Sequence, residues 1–159
     1  MTFDHLPYRP CVGIMLRNAR GEIWVGERID TPGAWQMPQG GIDKGESIES
    51  AALRELEEEI SVKAINISII SHTSEWVKYD LPDQLIKDKK VWGGKYRGQK
   101  QQWFLVQLQC DDSAISIETE HPEFARWQWV EPDKILDLIV PFKRQVYETV
   151  LNFFKPDLI

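Results

Sequence analysis

The sequence predicts a single α/β domain, a mixed sheet with one helix in mid-chain and a second closing the chain. Three observations predict it. The 159 residues are 42% hydrophobic and 28% charged, enough apolar content for one core and too evenly mixed for a disordered tail. Short apolar runs recur between turn residues, as strands do. Two longer stretches, 47–60 and 142–154, carry helical spacing instead.

Taken in order, Cys11–Leu16 is an apolar strand and Ile23–Arg28 its returning partner, because Asn18-Ala19-Arg20-Gly21 supplies turn chemistry between them. Trp35-Gln36-Met37-Pro38 reads as a short extended piece running into Gln39-Gly40-Gly41. Ser47–Ile60 is a helix: Ser47 is an N-cap residue type, and neither Pro nor Gly interrupts the run. Ala64–Val77 is rich in isoleucine and alternates over part of its length, giving one long strand or two short ones. Gln102–Cys110 and Ala125–Val130 are further strands, in which Trp103, Trp127 and Trp129 are expected to pack. Phe142–Phe154 is an amphipathic helix with Val146, Val150 and Phe153 or Phe154 on one side. No repeat, low-complexity run or linker divides the chain, so residues 1–159 read as one domain.

Composition excludes several classes. No apolar run approaches the roughly 18 residues of a membrane span. Met1-Thr2-Phe3-Asp4-His5 lacks the charged-then-apolar layout of a signal peptide. Cys11 and Cys110 both stand in apolar or aromatic surroundings and read as reduced core thiols of a cytoplasmic protein. His5, His72 and His121 are scattered without metal-ligand spacing, and neither cysteine has a motif for nucleophilic catalysis. A net charge of −6 argues against an anionic ligand only until its distribution is read. Six acids and one base lie between Glu46 and Glu59, so that segment carries −5 and the remainder −1.

On a helix each residue turns about 100°. With Glu55 as reference, Glu59 falls about 40° to one side and Glu58 about 60° to the other, while Glu57 lies about 200° away. Leu53, Leu56 and Ile60 form a separate stripe for core contact. Like charges at these spacings destabilise a helix, and Arg54 relieves only part of the conflict. Magnesium or manganese would resolve it, since both take oxygen ligands, and the absence of nearby His or Cys argues against zinc. A glutamate run is more often a solvated face; the pattern preceding this one decides otherwise.

From Gly40 the chain reads Gly-Gly-Ile-Asp-Lys-Gly-Glu-Ser-Ile-Glu-Ser-Ala-Ala-Leu-Arg-Glu-Leu-Glu-Glu-Glu-Ile-Ser-Val. This resembles the Nudix box, Gly-x5-Glu-x7-Arg-Glu-U-x-Glu-Glu-x-Gly-U, where U is aliphatic. Gly40, Glu46, Arg54, Glu55, Leu56, Glu58, Glu59 and Val62 fill eight of nine specified positions over 23 residues. Ser61 stands where the family has a glycine that ends the helix in a left-handed conformation, so a less stable helix end with intact chemistry is expected. Further segments resemble one subgroup, which contains bacterial RNA pyrophosphohydrolases and bacterial or plant diadenosine tetraphosphate hydrolases. They are Tyr8-Arg9-Pro10, Trp35 to Gly41, Tyr79-Asp80-Leu81-Pro82, Gly98 to Phe104, Pro122-Glu123-Phe124 and Phe142-Lys143-Arg144.

The resemblance implies an α/β/α sandwich with a mixed sheet and a glutamate-rich catalytic helix. It implies a phosphoanhydride hydrolase dependent on Mg2+, for which Mn2+ or another divalent cation can substitute. Its metal residues would be Glu55, Glu58, Glu59, Glu123 and Gly40, with Glu55 serving as ligand or as base. Arg54 would orient the glutamates. Glu123 matches a further metal or base carboxylate of the subgroup; Glu120 is its nearby competitor, and the plain alternative is an exposed loop acid. Arg9, Arg28, Lys100 and Lys143 are candidates for the phosphate chain. The segment Lys87–Lys100 holds six bases against Asp88, with Trp92 and Tyr96 interleaved, which suits an unpaired nucleotide with its base stacked or else a solvated loop. Tyr79 and Phe142 match aromatic positions near the nucleobase, or are core. Gly40, Gly41 and Gly45 form a phosphate nest or simply a tight turn.

The expected activity is removal of pyrophosphate from 5′-triphosphorylated RNA to leave a 5′-monophosphate. The alternative is asymmetric hydrolysis of diadenosine tetraphosphate to ATP and AMP. The partner is such a substrate, with no membrane and no DNA duplex, and no segment identifies a protein partner. A catalytically silent module would have lost a box glutamate, and a sugar-nucleotide or mutagenic-nucleotide hydrolase would lack the Gly98–Phe104 element.

Overall fold

The computed structural model describes residues 3–158; Met1 and Thr2, part of the N-terminal reading above, and Ile159 lie outside it. Its spine is a parallel pair. β1 (Tyr8–Arg17) runs beside β7 (Gly98–Leu108) in register from Tyr8↔Gly98 to Arg17↔Gln107. Both strands start earlier than local hydrophobicity suggests, because each supplies the other's backbone partners through the polar Tyr8-Arg9-Pro10 and Gly98-Gln99-Lys100 segments.

β2 (Ile23–Arg28) returns antiparallel to β1, flanked by β3 (Trp35–Gln36) and β8 (Phe124–Val130), while β4 (Gln39–Gly41) pairs with β1. The isoleucine-rich stretch forms two strands, β5 (Ile67–His72) and β6 (Val77–Asp80), both antiparallel to β7. Thr73 divides them: its N–H donates to the Trp103 carbonyl at 2.9 Å and its Oγ1 accepts from the Trp103 N–H at 2.9 Å. Eight strands thus make one mixed sheet. Trp103 lies in the core, whereas Trp127 and Trp129 are half-buried on β8, Trp127 stacked on Trp24 at 6.0 Å.

One sheet face presents Val12, Ile14, Leu16, Phe104 and Val106 to Ala51, Ala52, Leu56 and Ile60 of α1 (Ile48–Ile60). The other presents Met15, Trp103 and Leu105 to Val146, Tyr147, Val150 and Phe154 of α3 (Arg144–Leu158). The two helices sandwich the sheet between them. Leu53 is only half-buried, and Ala51 and Ala52 take the core place expected for it. A short helix, α2 (Asp83–Lys87), and a 3₁₀ turn at Trp92–Gly94 order much of the cationic segment, whose last residues already belong to β7. Among the described residues no helix is long and apolar enough to cross a membrane.

The cysteines differ. Cys11 is buried in β1, but Cys110 is exposed, which corrects the reading of both as core thiols. The chain leaves the sheet after Leu108, where the Gln109 N–H turns to the Asn66 carbonyl at 2.7 Å.

Ser61 ends α1 in the left-handed conformation, φ 68° and ψ 8°, and its N–H donates to the Glu57 carbonyl at 2.9 Å. Its hydroxyl donates to the Ser116 carbonyl at 3.0 Å, a bond glycine cannot make. The strain of a left-handed serine, on the order of 1 kcal/mol, and that hydrogen bond, also about 1 kcal/mol, nearly cancel. Ser61→Gly is therefore expected to shift stability by less than about 1 kcal/mol, whereas Ser61→Ala, which keeps the strain and loses the bond, destabilises by about 1 kcal/mol. Urea unfolding midpoints check this; a large gain in Ser61→Gly would refute the compensation.

Candidate active site

The loop from β4 into α1 is tied down before the helix begins. Ser47 Oγ accepts from the Ser50 N–H at 3.1 Å as the N-cap, and the Asp43 N–H donates to Glu46 Oε1 at 3.0 Å. Arg54 then reaches back along the helix. Its Nε and Nη2 donate to the two oxygens of Glu46 at 2.7 and 2.8 Å, and Nη2 donates to the Gly41 carbonyl at 2.8 Å. Its Nη1 donates to Glu55 Oε1 at 2.8 Å and Glu58 Oε2 at 3.2 Å. Beside this cation the Glu46 carboxyl is held down at about 2. Glu46 carries no expected role from the sequence, although its fixed place in the box is the signal that marks it.

The three glutamates differ in environment. Glu58 is exposed, 3.2 Å from Arg54, while Glu55 and Glu59 are buried. Burial pushes the Glu55 carboxyl up against the opposing pull of Arg54. Glu59 is pushed well above the usual carboxylate range by burial first, then by the charges of Glu123 and Glu55, and its Oε2 is buried without a hydrogen-bond partner. Gly40 lies directly against Glu55: a methyl group built there would fall on the carboxylate, so only glycine lets β4 approach the helix this closely.

These groups line a cleft of about 1390 Å³. It brings together Arg9, Arg28, Gly40, Glu55, Glu58, Glu59, Tyr79, Glu123, Phe142 and Lys143 from nearly the whole length of the chain. Arg28 is paired to Asp30 at 2.6 Å, and its guanidinium feels the charges of Glu123 and Glu59. Both Glu120 and Glu123 line the cleft, but Glu123 is the acid whose charge reaches Glu59 and Arg28. Tyr79 is buried and Phe142 exposed, their rings 6.0 Å apart. Lys143 Nζ stands 3.4 Å from Gln36 Oε1, and burial, helped by Arg28, pushes its ammonium down to about 8.

Lys100 is not brought to the cleft. Its Nζ lies 4.7 Å from the centre of the Trp76 ring. The parity of a strand explains it: Tyr79 pairs with Gln99, which lines the cleft, so the next residue of β7 points to the opposite face. Gln36 and Gln99, buried polar residues of the cleft, were missed because nothing in a lone glutamine marks it.

The residues present fit a divalent cation. Glu59 keeps one buried carboxylate oxygen with no partner and is faced by the carboxylates of Glu55 and Glu123, an oxygen set of the kind a hard cation accepts. Among the described residues no three His, Cys, Asp or Glu side chains already stand close enough to ligate one ion together, and Glu55 and Glu58 are instead paired to Arg54.

The family profile described as NUDIX domain matches residues 7–150. An RNA pyrophosphohydrolase of Novosphingobium aromaticivorans is 54% identical over 99% of this chain and 98% of its own length. Proteins of the same name from Sphingopyxis alaskensis and Cereibacter sphaeroides are 53% and 52% identical, each over 96% of this chain and over 96% and 94% of their own lengths. Among solved structures, an Ap4A hydrolase of C. elegans superposes with a TM-score of 0.65 at 20% identity, covering 96% of this chain and 99% of its own. The E. coli dihydroneopterin triphosphate pyrophosphohydrolase gives 0.67 at 19%, covering 90% and 96%. At these identities the structures speak for the fold alone.

Glu59 offers a test independent of substrate. In chelator, Glu59→Gln is expected to stabilise the protein by about 1–2 kcal/mol, because an amide carries no buried charge to desolvate beside Glu55 and Glu123. Turnover should fall at least about 100-fold in the same variant. Thermal melts in chelator and assays in magnesium check the pair; destabilisation with activity retained would contradict the assignment.

Proposed function

This chain belongs to the NUDIX family, and on that premise we propose that it removes pyrophosphate from the 5′-triphosphate end of RNA, leaving a 5′-monophosphate. The observation that carries the reading is the joining, in one cleft, of the acids Glu55, Glu58, Glu59 and Glu123 with the cations Arg9, Arg28 and Lys143 and the ring pair Tyr79–Phe142. The name shared by relatives that are about half identical to this chain supports RNA as the substrate.

Glu55, Glu58, Glu59, Glu123 and the Gly40 carbonyl would hold divalent magnesium, or manganese in its place. When bound, the cation supplies charge stabilisation for the phosphate oxygens and acidifies a water. Arg54 keeps Glu55 and Glu58 in place without touching substrate. Arg9, Arg28 and Lys143 neutralise the phosphate chain, and Tyr79 and Phe142 flank the first base. Glu55, raised by burial, is the carboxylate we assign as the proton acceptor from the attacking water. Water oxygen bonds to phosphorus, one bridging P–O bond breaks and pyrophosphate departs; attack at either the first or second phosphorus yields the same two products. A cytoplasmic location follows from that substrate class.

The second reading, asymmetric cleavage of diadenosine tetraphosphate to ATP and AMP, uses the same residues. Specificity constants on a triphosphate-ended oligonucleotide and on the dinucleotide separate the two, and the RNA reading fails if only the dinucleotide is cleaved. Glu55→Gln is expected to lower turnover on the preferred substrate at least about 100-fold. Lys143 adds a pH signature. It is cationic below about 8 and neutral above, so KM for a polyphosphate should rise as pH climbs through that value. A pH series from 7 to 9.5 on wild type and Lys143→Met checks it: the variant should start with the higher KM and lack the rise.

A further inference from the structure

Of the two arginines lining the cleft, Arg28 is paired to Asp30, but Arg9 has no carboxylate within salt-bridge distance among the described residues. It is nevertheless half-buried and closely held. Its Nη1 donates to the Cys11 thiol at 3.2 Å, and burial keeps that thiol neutral, raised to about 11. The guanidinium packs on Gly41, where an added Cβ would come within 3.0 Å of Cζ. Its carbon lies 5.3 Å from the centre of the Trp92 ring. Gly41 also accepts from Arg54, so one peptide seats both arginines.

Trp92 occupies an unusual backbone. Trp92, Gly93 and Gly94 are left-handed in succession, φ 48°, 64° and 76°. For the two glycines this is free of strain; for a tryptophan it costs on the order of 1 kcal/mol or more. The turn is closed by hydrogen bonds from the Gly94 N–H to the Val91 carbonyl (3.1 Å) and from the Lys95 N–H to the Trp92 carbonyl (3.2 Å), and Tyr96 packs edge-on at 6.0 Å. The composition of this segment suggests a ring that stacks a nucleobase. In the structure that ring carries a cation.

We propose that Trp92 is a positioning residue: its indole holds the unpaired Arg9 guanidinium against Gly41, aimed at the phosphate chain in the cleft. This rests on the reading of the cleft as a polyphosphate site and gives that site its geometry. A free arginine side chain samples many rotamers, and the ring and the glycine remove most of them before substrate arrives. Stacking of the base is left to Tyr79 and Phe142.

Kinetics of the magnesium-loaded enzyme on a triphosphate-ended oligonucleotide test this with wild type, Arg9→Ala, Trp92→Ala and the double variant. Trp92→Ala is expected to raise KM about 10-fold with kcat changed less than about 3-fold. The double variant should be no worse than Arg9→Ala, because the ring acts only through the guanidinium. Trp92→Phe should restore most of the loss, and Tyr96→Ala, which touches the ring but not Arg9, should leave KM near wild type. Single effects that multiply, or a Trp92→Phe as poor as Trp92→Ala, overturn the proposal. Should Trp92→Ala not fold, Trp92→Leu keeps apolar bulk without the ring's charge distribution, and an unchanged KM there is equally fatal. An unchanged KM in Arg9→Ala overturns the phosphate role of Arg9 as well, whereas an Arg9→Ala defect without coupling sinks only the part assigned to Trp92.

Discussion

Arg54 uses all five of its N–H donors, on both oxygens of Glu46, on Glu55, on Glu58 and on the Gly41 carbonyl. Those acceptors belong to the loop before α1, to the helix itself and to the strand beneath it. One planar cation therefore fixes three pieces of backbone relative to one another and relieves like-charge repulsion along the helix. A lysine, with its three donors on one point, could not span them. Glu59 lies outside Arg54's reach, and this division separates the two buried glutamates chemically. Glu55 is hydrogen-bonded to a cation; the hydrogen-bond partners of Glu59 are the Glu55 carboxyl and the Gln39 backbone, and Arg28 and Lys143 act on it only through their charge.

The sandwich gives this network a rigid floor. Ala51, Ala52, Leu56 and Ile60 pin α1 to one sheet face by apolar burial, so the charged face cannot rotate away from β4. From the other face, Tyr147 Oη accepts from the Met37 N–H at 2.9 Å, and so the closing helix α3 braces the short segment that leads to Gly40. Glycine at 40 admits Glu55 and glycine at 41 admits Arg9. The two adjacent glycines thus serve two different neighbours, one acidic and one basic. The phosphate-nest interpretation is unnecessary to explain them.

What was legible in the sequence follows what is local. Helix α1 ends at Ile60 as its spacing requires, and Ser47 caps it, because both depend on residues within one turn. Ser61 adopts the glycine-like conformation, but its bond to Ser116 crosses 55 residues and has no local signature. The NUDIX fold was readable from the box and its companion segments. Strand limits were not, since β1 and β7 are lengthened by pairing with each other rather than by their own composition. Lys100, expected among the phosphate contacts, instead stands beside Trp76 by strand parity: a motif can identify a neighbourhood while only the pairing says which of two adjacent side chains enters it. Cys110 failed similarly, for the chain turns out of the sheet two residues earlier.

The central ladder joins Tyr8 to Gly98, ninety positions apart, and most of the remaining sheet hangs on these two strands. Bringing such distant segments together requires closing a large loop before any backbone bond rewards it, which makes this a slow topology with high contact order. During synthesis β1, the box and α1 all leave the ribosome before β7 exists. Until β7 arrives, the apolar side of α1 has only half its floor and the acids have no fixed cleft to enter. The hydrolytic centre is therefore a late product of folding, and a nascent chain cut short before residue 98 would carry the whole signature motif with no enzyme built around it.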